Sequence, residues 1–168
     1  SVLGVSAGAA TQLMERVSAW RFLSPPKAWG QAMLVNGTGE RFTNETWYGA
    51  RIGDEMVERN GGRGYIILDR KLFRKALRDA FGSNVLGFQR DITLVNCFFA
   101  ATKGKTAEDL ARKMGFDPST FAATISAYNK AARGETADPF HKAADEMIAL
   151  EDGPFYAIDA SVDARMFP

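Results

Sequence analysis

Residues Gly39–Gly53 read "GERFTNETWYGARIG", and two readings compete for them. In the structural one, a short extended run through Arg41–Thr43 turns at a polar corner into a helix. In the functional one, the same corner presents Asn44, Glu45, Trp47, Tyr48 and Arg51 at the rim of a pocket. Upstream, "QAMLVN" and "GTG" complete a predicted β-hairpin: two extended runs around a glycine-containing turn. Downstream, "ARIGDEMVERN" predicts a helix with Ile52, Met56 and Arg59 on one face, and "NGG" supplies its C-cap.

Working outward, "GYIILD" is apolar throughout and predicts a buried strand. "RKLFRKALRDAFG" predicts an amphipathic helix with Leu72, Phe73, Ala76, Leu77 and Ala80 inward and its Arg and Lys residues wet. "ITLVNCFFAATK" holds another extended segment. In "TAEDLARKMG", Thr106 is the expected N-cap of a helix, with Asp109 completing a capping box. In "DPSTFAATISAYNKAARG", Asp117 is the expected N-cap, Pro118 opens the first turn, and Phe121, Ile125 and Tyr128 share a face. "FYAIDA" predicts a last strand. Residues 7–18 predict a first helix, and "FLSPPKAWG" (22–30) a loop, because adjacent prolines fit neither helix interior nor central strand. Helices and strands do not alternate strictly, which indicates an α+β fold in one domain.

The 168 residues, 46% hydrophobic and 24% charged, suit one globular domain with a sizeable core. A formal net charge of +1 gives no reason to expect nucleic acid as a partner. Cys97 is the single cysteine, so no intrachain disulfide forms, and a reduced thiol in an apolar run fits a cytoplasmic location. No apolar run approaches the roughly 18 residues of a membrane span. The chain opens on "SVLGVSAGAATQL" and stops on "SVDARMFP" without signal or terminator, as a segment of something longer would.

Chemistry-bearing motifs are few. There is no GxGxxG after a strand and no phosphate-loop lysine, and "NGGRG" (60–64) follows a helix, where it reads as C-cap and turn. One His (His141) and one Cys (Cys97) cannot make a soft-ligand metal cluster, so no metal is expected. A Ser/His/Asp triad would need His141, which sits in a polar loop and reads as an exposed structural residue. Tyr48 is the acid/base candidate, since a phenol placed against substrate can donate or accept a proton. Arg51 is the second candidate, for holding an anionic group or passing protons. Against both stands the plain reading of Tyr48 as a half-buried aromatic and Arg51 as a solvated helix residue. Trp47 either lines an apolar pocket or covers core.

"AMLVNGTGERFTNE" (32–45) resembles the "ILVN-x-x-G-x-RF-x-NE" signature of FAD-dependent fumarate reductases and 3-ketosteroid dehydrogenases. "GYIILD", the stretch "KGKTAEDLARKMGFDPSTFAATISAYNKAARGETADPF" with its Tyr128–Asn129 pair and Asp138 and Phe140, and "GPFYAID" (153–159) are similar to successive segments of the same family, in the same order. The resemblance implies that residues 1–168 are a single α+β capping domain, a small mixed sheet with packed helices. It would be excised from a larger flavoprotein whose Rossmann-type FAD-binding domain lies outside this chain. Substrate would lie between cap and flavin, with FAD bound mainly by that other domain and hydride passing between a substrate carbon and flavin N5. The proton on the adjacent carbon is handled by an Arg in fumarate reductases and by a Tyr in 3-ketosteroid dehydrogenases, in the region of Tyr48 and Arg51, with the register offset by about one residue. Where dicarboxylate reducers carry a His-Pro-Thr segment, this chain has Ala19-Trp20-Arg21-Phe22. Trp20, Phe22 and Trp47 would therefore line a site for a bulkier, apolar ketone or enone such as a 3-ketosteroid, with Asn44 and Glu45 fixing the loop. The implied partners are a small-molecule substrate and the flavin domain of the same full-length chain. The alternatives are the cap of a fumarate-type dicarboxylate flavoenzyme with Arg51 as proton donor, and a stand-alone, non-catalytic binding module.

Overall fold

The computed structural model describes residues 27–80 and 101–161. The chain order is α1 (Lys27–Gly30), β1 (Met33–Val35), α2 (Gly49–Asn60), β2 (Tyr65–Leu68), α3 (Arg70–Ala80), β3 (Ala101–Gly104), α4 (Ala107–Met114), α5 (Pro118–Ala132), a short 3-10 turn (Ala144–Glu146) and β4 (Phe155–Asp159). The helix expected at residues 7–18, Trp20, Phe22 and Cys97 lie outside the described residues.

The four strands form one sheet in the order β1-β2-β4-β3. Met33 faces Ile67 across the first pair, Ile66 faces Ile158 across the second, and Ala101 faces Ile158 across the third. All three pairings are antiparallel, which corrects the expectation of a mixed sheet. Residues 36–41 turn the chain back, with a single bridge between Val35 and Arg41.

That bridge is also what remains of the expected hairpin. Asn36 fills the turn with its own side chain: Oδ1 accepts from the backbone N–H of Thr38 and of Glu40, 3.0 Å each. Beyond the bridge, no second strand among the described residues borders that edge of β1. The outward N–H of Leu34 donates instead to Glu45 Oε1 at 2.9 Å, so a carboxylate closes the sheet edge where a carbonyl would otherwise sit. The loop expected at 22–30 is corrected in part too. Within it, Lys27–Gly30 form the short helix α1.

The core holds Met33, Val35, Met56, Ile67, Leu68, Leu72, Leu110, Phe121, Tyr128 and Ile158, each 2% exposed or less. The apolar periodicities of the sequence supply them. In α2, Ile52 and Met56 are buried, but Arg59 leaves their face, its side chain 73% exposed beside Glu55. The helix ends on left-handed Gly61, whose N–H returns to the Met56 carbonyl. In α4 the box is skewed. Thr106 Oγ1 accepts from Asp109 N at 3.1 Å, but the Asp109 carboxylate reaches Lys105 N at 2.8 Å, one residue ahead of the cap. Asp117 caps α5, and three local donations, first from the Ser119 hydroxyl, hold its carboxyl down to about 2. No described helix is long and apolar enough to cross a membrane.

Two glycines should respond oppositely to alanine. A Cβ on Gly104 would meet the backbone N of Leu110 at 2.4 Å and its Cα at 2.6 Å, where β3 packs against α4. Gly104→Ala should therefore lower stability by about 2 kcal/mol or more. Gly53 lies inside α2, and a methyl group there would meet nothing within 4 Å. Gly53→Ala should therefore raise stability by about 0.5–1 kcal/mol. Urea unfolding of both variants, with equal slopes, checks the pair of signs.

Candidate active site

The corner between the β1 turn and α2 is held from below by four charged side chains with almost no access to water. Exposure of the side chain is 5% for Arg41, 4% for Glu45, 2% for Asp138 and 0% for Lys142. Arg41 donates from Nε to Glu45 Oε1 at 2.8 Å and from Nη2 to Oε2 at 2.9 Å, a two-pronged pair, and its Nη1 donates to Asp138 Oδ1. Lys142 Nζ donates to Glu45 Oε2 at 2.9 Å and to the Ala32 carbonyl at 3.1 Å. Two cations thus face two anions, and the donations satisfy groups that burial would otherwise penalise.

Burial acts against the charge on Arg41, but its bonds to Glu45 and Asp138 outweigh that and raise its pKa above the ordinary value. For Lys142 burial wins and the pKa falls, with Glu45 opposing the fall. Tyr128 lies beneath, its Oη donating to the Gln31 carbonyl at 2.8 Å, and burial, reinforced by Glu45, pushes its phenol well above the usual range. The Arg41 guanidinium carbon sits 5.1 Å from the Tyr128 ring centre and 5.0 Å from that of Phe140.

These bonds join two segments distant in sequence. Residues 138–142 turn around Asp138, whose Oδ2 accepts from Phe140 N and Lys142 N, with His141 exposed at a positive φ of 58°. Asn44 Nδ2 donates to the Phe140 carbonyl at 3.2 Å. Asn44 Oδ1 accepts from Thr46 N at 2.9 Å and from the Thr46 hydroxyl at 2.6 Å. The corner is therefore a fixed platform, and the residues after it sit on its outer side. Trp47 is half-buried, and the Arg51 guanidinium lies 3.5 Å from its ring centre. Tyr48 is 78% exposed, the large hydrophobic side chain left open among the described residues.

The structure thus brings Asn44, Glu45, Trp47, Tyr48 and Arg51 together at one corner. It departs from the plain reading of Tyr48 as half-buried. Arg51 is exposed but stacked. Sequence reasoning misses Arg41, Asp138 and Lys142 as site residues. The signal for them is the i, i+4 spacing of Arg41 with Glu45 and of Asp138 with Lys142, but nothing local says that the two pairs meet.

The described residues do not form a dinucleotide cradle. That would need a glycine-rich turn between a strand and a helix N-terminus. At the β2–α3 junction a carboxylate holds that place: Asp69 Oδ1 accepts from Leu72 N at 2.8 Å, and its Oδ2 from Glu151 N and Asp152 N. Gly61, Gly62, Gly115 and Gly134 follow helix ends. No described residue is assigned to a flavin, and among the described residues no group of three or more His, Cys, Asp or Glu could hold a metal.

Removing Glu45 leaves Arg41 and Lys142 buried against Asp138 alone, and frees the Leu34 N–H. Glu45→Ala should cost about 3 kcal/mol or more in urea unfolding, against less than about 0.5 kcal/mol for Arg59→Ala on the exposed surface. A cost for Glu45→Ala below about 1 kcal/mol would contradict this account of the corner.

Comparison with known proteins agrees with the architecture. A 3-oxo-5-alpha-steroid 4-dehydrogenase of Comamonas testosteroni is 38% identical over 166 residues, 99% of this chain and 31% of that protein, so the chain spans about a third of this relative. The structure of a 3-ketosteroid-Δ4-(5α)-dehydrogenase of Rhodococcus jostii, solved with 4-androstene-3,17-dione, superposes with a TM-score of 0.66 at 24% identity, over 83% of this chain and 27% of that one. A solution structure of a fumarate reductase flavoprotein subunit of Lactobacillus plantarum has the same fold (TM-score 0.62, 16% identity), over 84% of this chain and 91% of that one. The sequence model of the FAD binding domain family matches residues 27–167. FAD is the cofactor of that family, and this chain belongs to it.

Proposed function

We propose that residues 1–168 are the substrate-capping domain of an FAD-dependent oxidoreductase that acts on an apolar ketone or enone of the 3-ketosteroid class. The flavin domain would be supplied by the same full-length chain. In this reading Tyr48 takes the proton from the substrate carbon beside the one that loses hydride, or returns it in the reverse direction. Hydride exchange belongs to the family's cofactor, which residues outside those described would hold.

The observation that carries the reading is Tyr48 itself. A phenol 78% exposed at the residue that opens α2, four positions after the buried Asn44, is free to meet a ligand. Trp47 offers an apolar wall beside it, and Arg51, stacked on that ring, steadies the wall. Trp20 and Phe22 would extend it. The steroid named for the Comamonas relative and the dione bound to the Rhodococcus enzyme support the substrate class. The fumarate-type reading needs Arg51 as proton donor, and its stacking on Trp47 favours Tyr48 over it.

Tyr48→Phe in the full-length flavoprotein should cut turnover of 4-androstene-3,17-dione or its reduced counterpart by about 100-fold or more while leaving the flavin absorbance unchanged. Normal turnover in that variant would remove Tyr48 from the mechanism. Loss of activity toward a dicarboxylate in Arg51→Ala, with steroids inert, would select the fumarate-type reading instead.

A further inference from the structure

A second face of the domain carries a feature that the Tyr48 corner does not use. Arg70, Arg74 and Arg78 fall at i, i+4 spacing along α3, so their side chains stack in a row about 12 Å long on one side of the helix. Lys71 flanks the row. All four are exposed, and no described carboxylate lies within ion-pair distance of any of them. The neighbouring Lys75 is different: it is tied to Asp79 at 2.7 Å. The row lines one wall of a cleft of about 540 Å³, completed by Leu77 and Asp152. Arg70 N donates to the Asp152 carbonyl at 2.9 Å, which holds Asp152 beside the start of the row.

Four cations against one lining carboxylate concentrate positive potential in a chain whose formal net charge is only +1. Three of the four are arginines, whose planar forks bind phosphate oxygens in pairs. Leu77 gives the cleft an apolar patch, and Asp152 an acceptor for a hydroxyl or amino group. We infer that this cleft binds a phosphate-bearing small molecule, with neighbouring guanidiniums of the Arg70–Arg74–Arg78 row bracketing its phosphoryl oxygens. The inference stands independently of the reading of the Tyr48 corner.

The test uses inorganic pyrophosphate as probe, titrated into the ¹⁵N-labelled full-length protein with ionic strength held constant by sodium chloride. Amide signals of residues 70–78 and of Asp152 should shift and saturate. Arg74→Ala should weaken binding about tenfold, while Lys75→Ala, outside the row, should leave it within about twofold. Shifts that never saturate, or that sodium chloride alone reproduces, would overturn the site. So would equal weakening by both variants. A glutamate-rich peptide that saturates the same signals while pyrophosphate does not would also overturn it, in favour of an acidic protein surface as the occupant.

Discussion

The Glu45 carboxylate holds together the corner that follows β1. It is 4% exposed and takes two bonds from Arg41, one from Lys142 and one from the backbone of Leu34. One side chain therefore closes the edge of the sheet, anchors the turn after β1 and fastens the 138–142 segment to both. A buried carboxylate is costly unless every lone pair is used. Here the cost is offset by donors from three separate parts of the chain, so the corner forms only when all three are in place. That makes the geometry cooperative: register at β1, the turn at 36–41 and the loop at 138–142 are fixed together.

The backbone at Tyr48 is tied down although its side chain is exposed. Tyr48 follows Trp47 directly and precedes the first turn of α2, whose Ile52 N–H returns to the Tyr48 carbonyl at 3.3 Å. Its backbone is thus tied to the helix while its side chain stays open. Trp47 is pinned between the core and Arg51. The division of labour is physical: charges that would be screened on a surface are buried to hold the frame, and the groups able to meet a ligand stand outside it.

Much of this was legible in the sequence. The apolar run Tyr65–Leu68, the stripe Leu72 and Ala76, the cap residues Thr106 and Asp117, and the glycine after Asn60 each carry a local signal, and local signals survive folding. The α+β class followed from the order of such segments, and the family from the resemblance of residues 32–45 and the later segments to its motifs. The antiparallel sheet was not legible, because strand direction is set by pairings between distant segments, such as Ile66 with Ile158, that no local signal records. The second hairpin arm failed because a carboxylate, not a strand, satisfies the Leu34 N–H. The charge cluster was hidden for the same reason: Arg41 meets Asp138 across 97 positions, and no window along the chain contains both.

The central claim is that this chain caps a flavin site. It is tested most directly by the intact mass and visible absorption spectrum of the native gene product purified from its source. The account predicts a yellow protein with flavin absorbance, far heavier than the 18.4 kDa of this chain. A colourless protein of about that mass would contradict it and leave a stand-alone binding domain in its place.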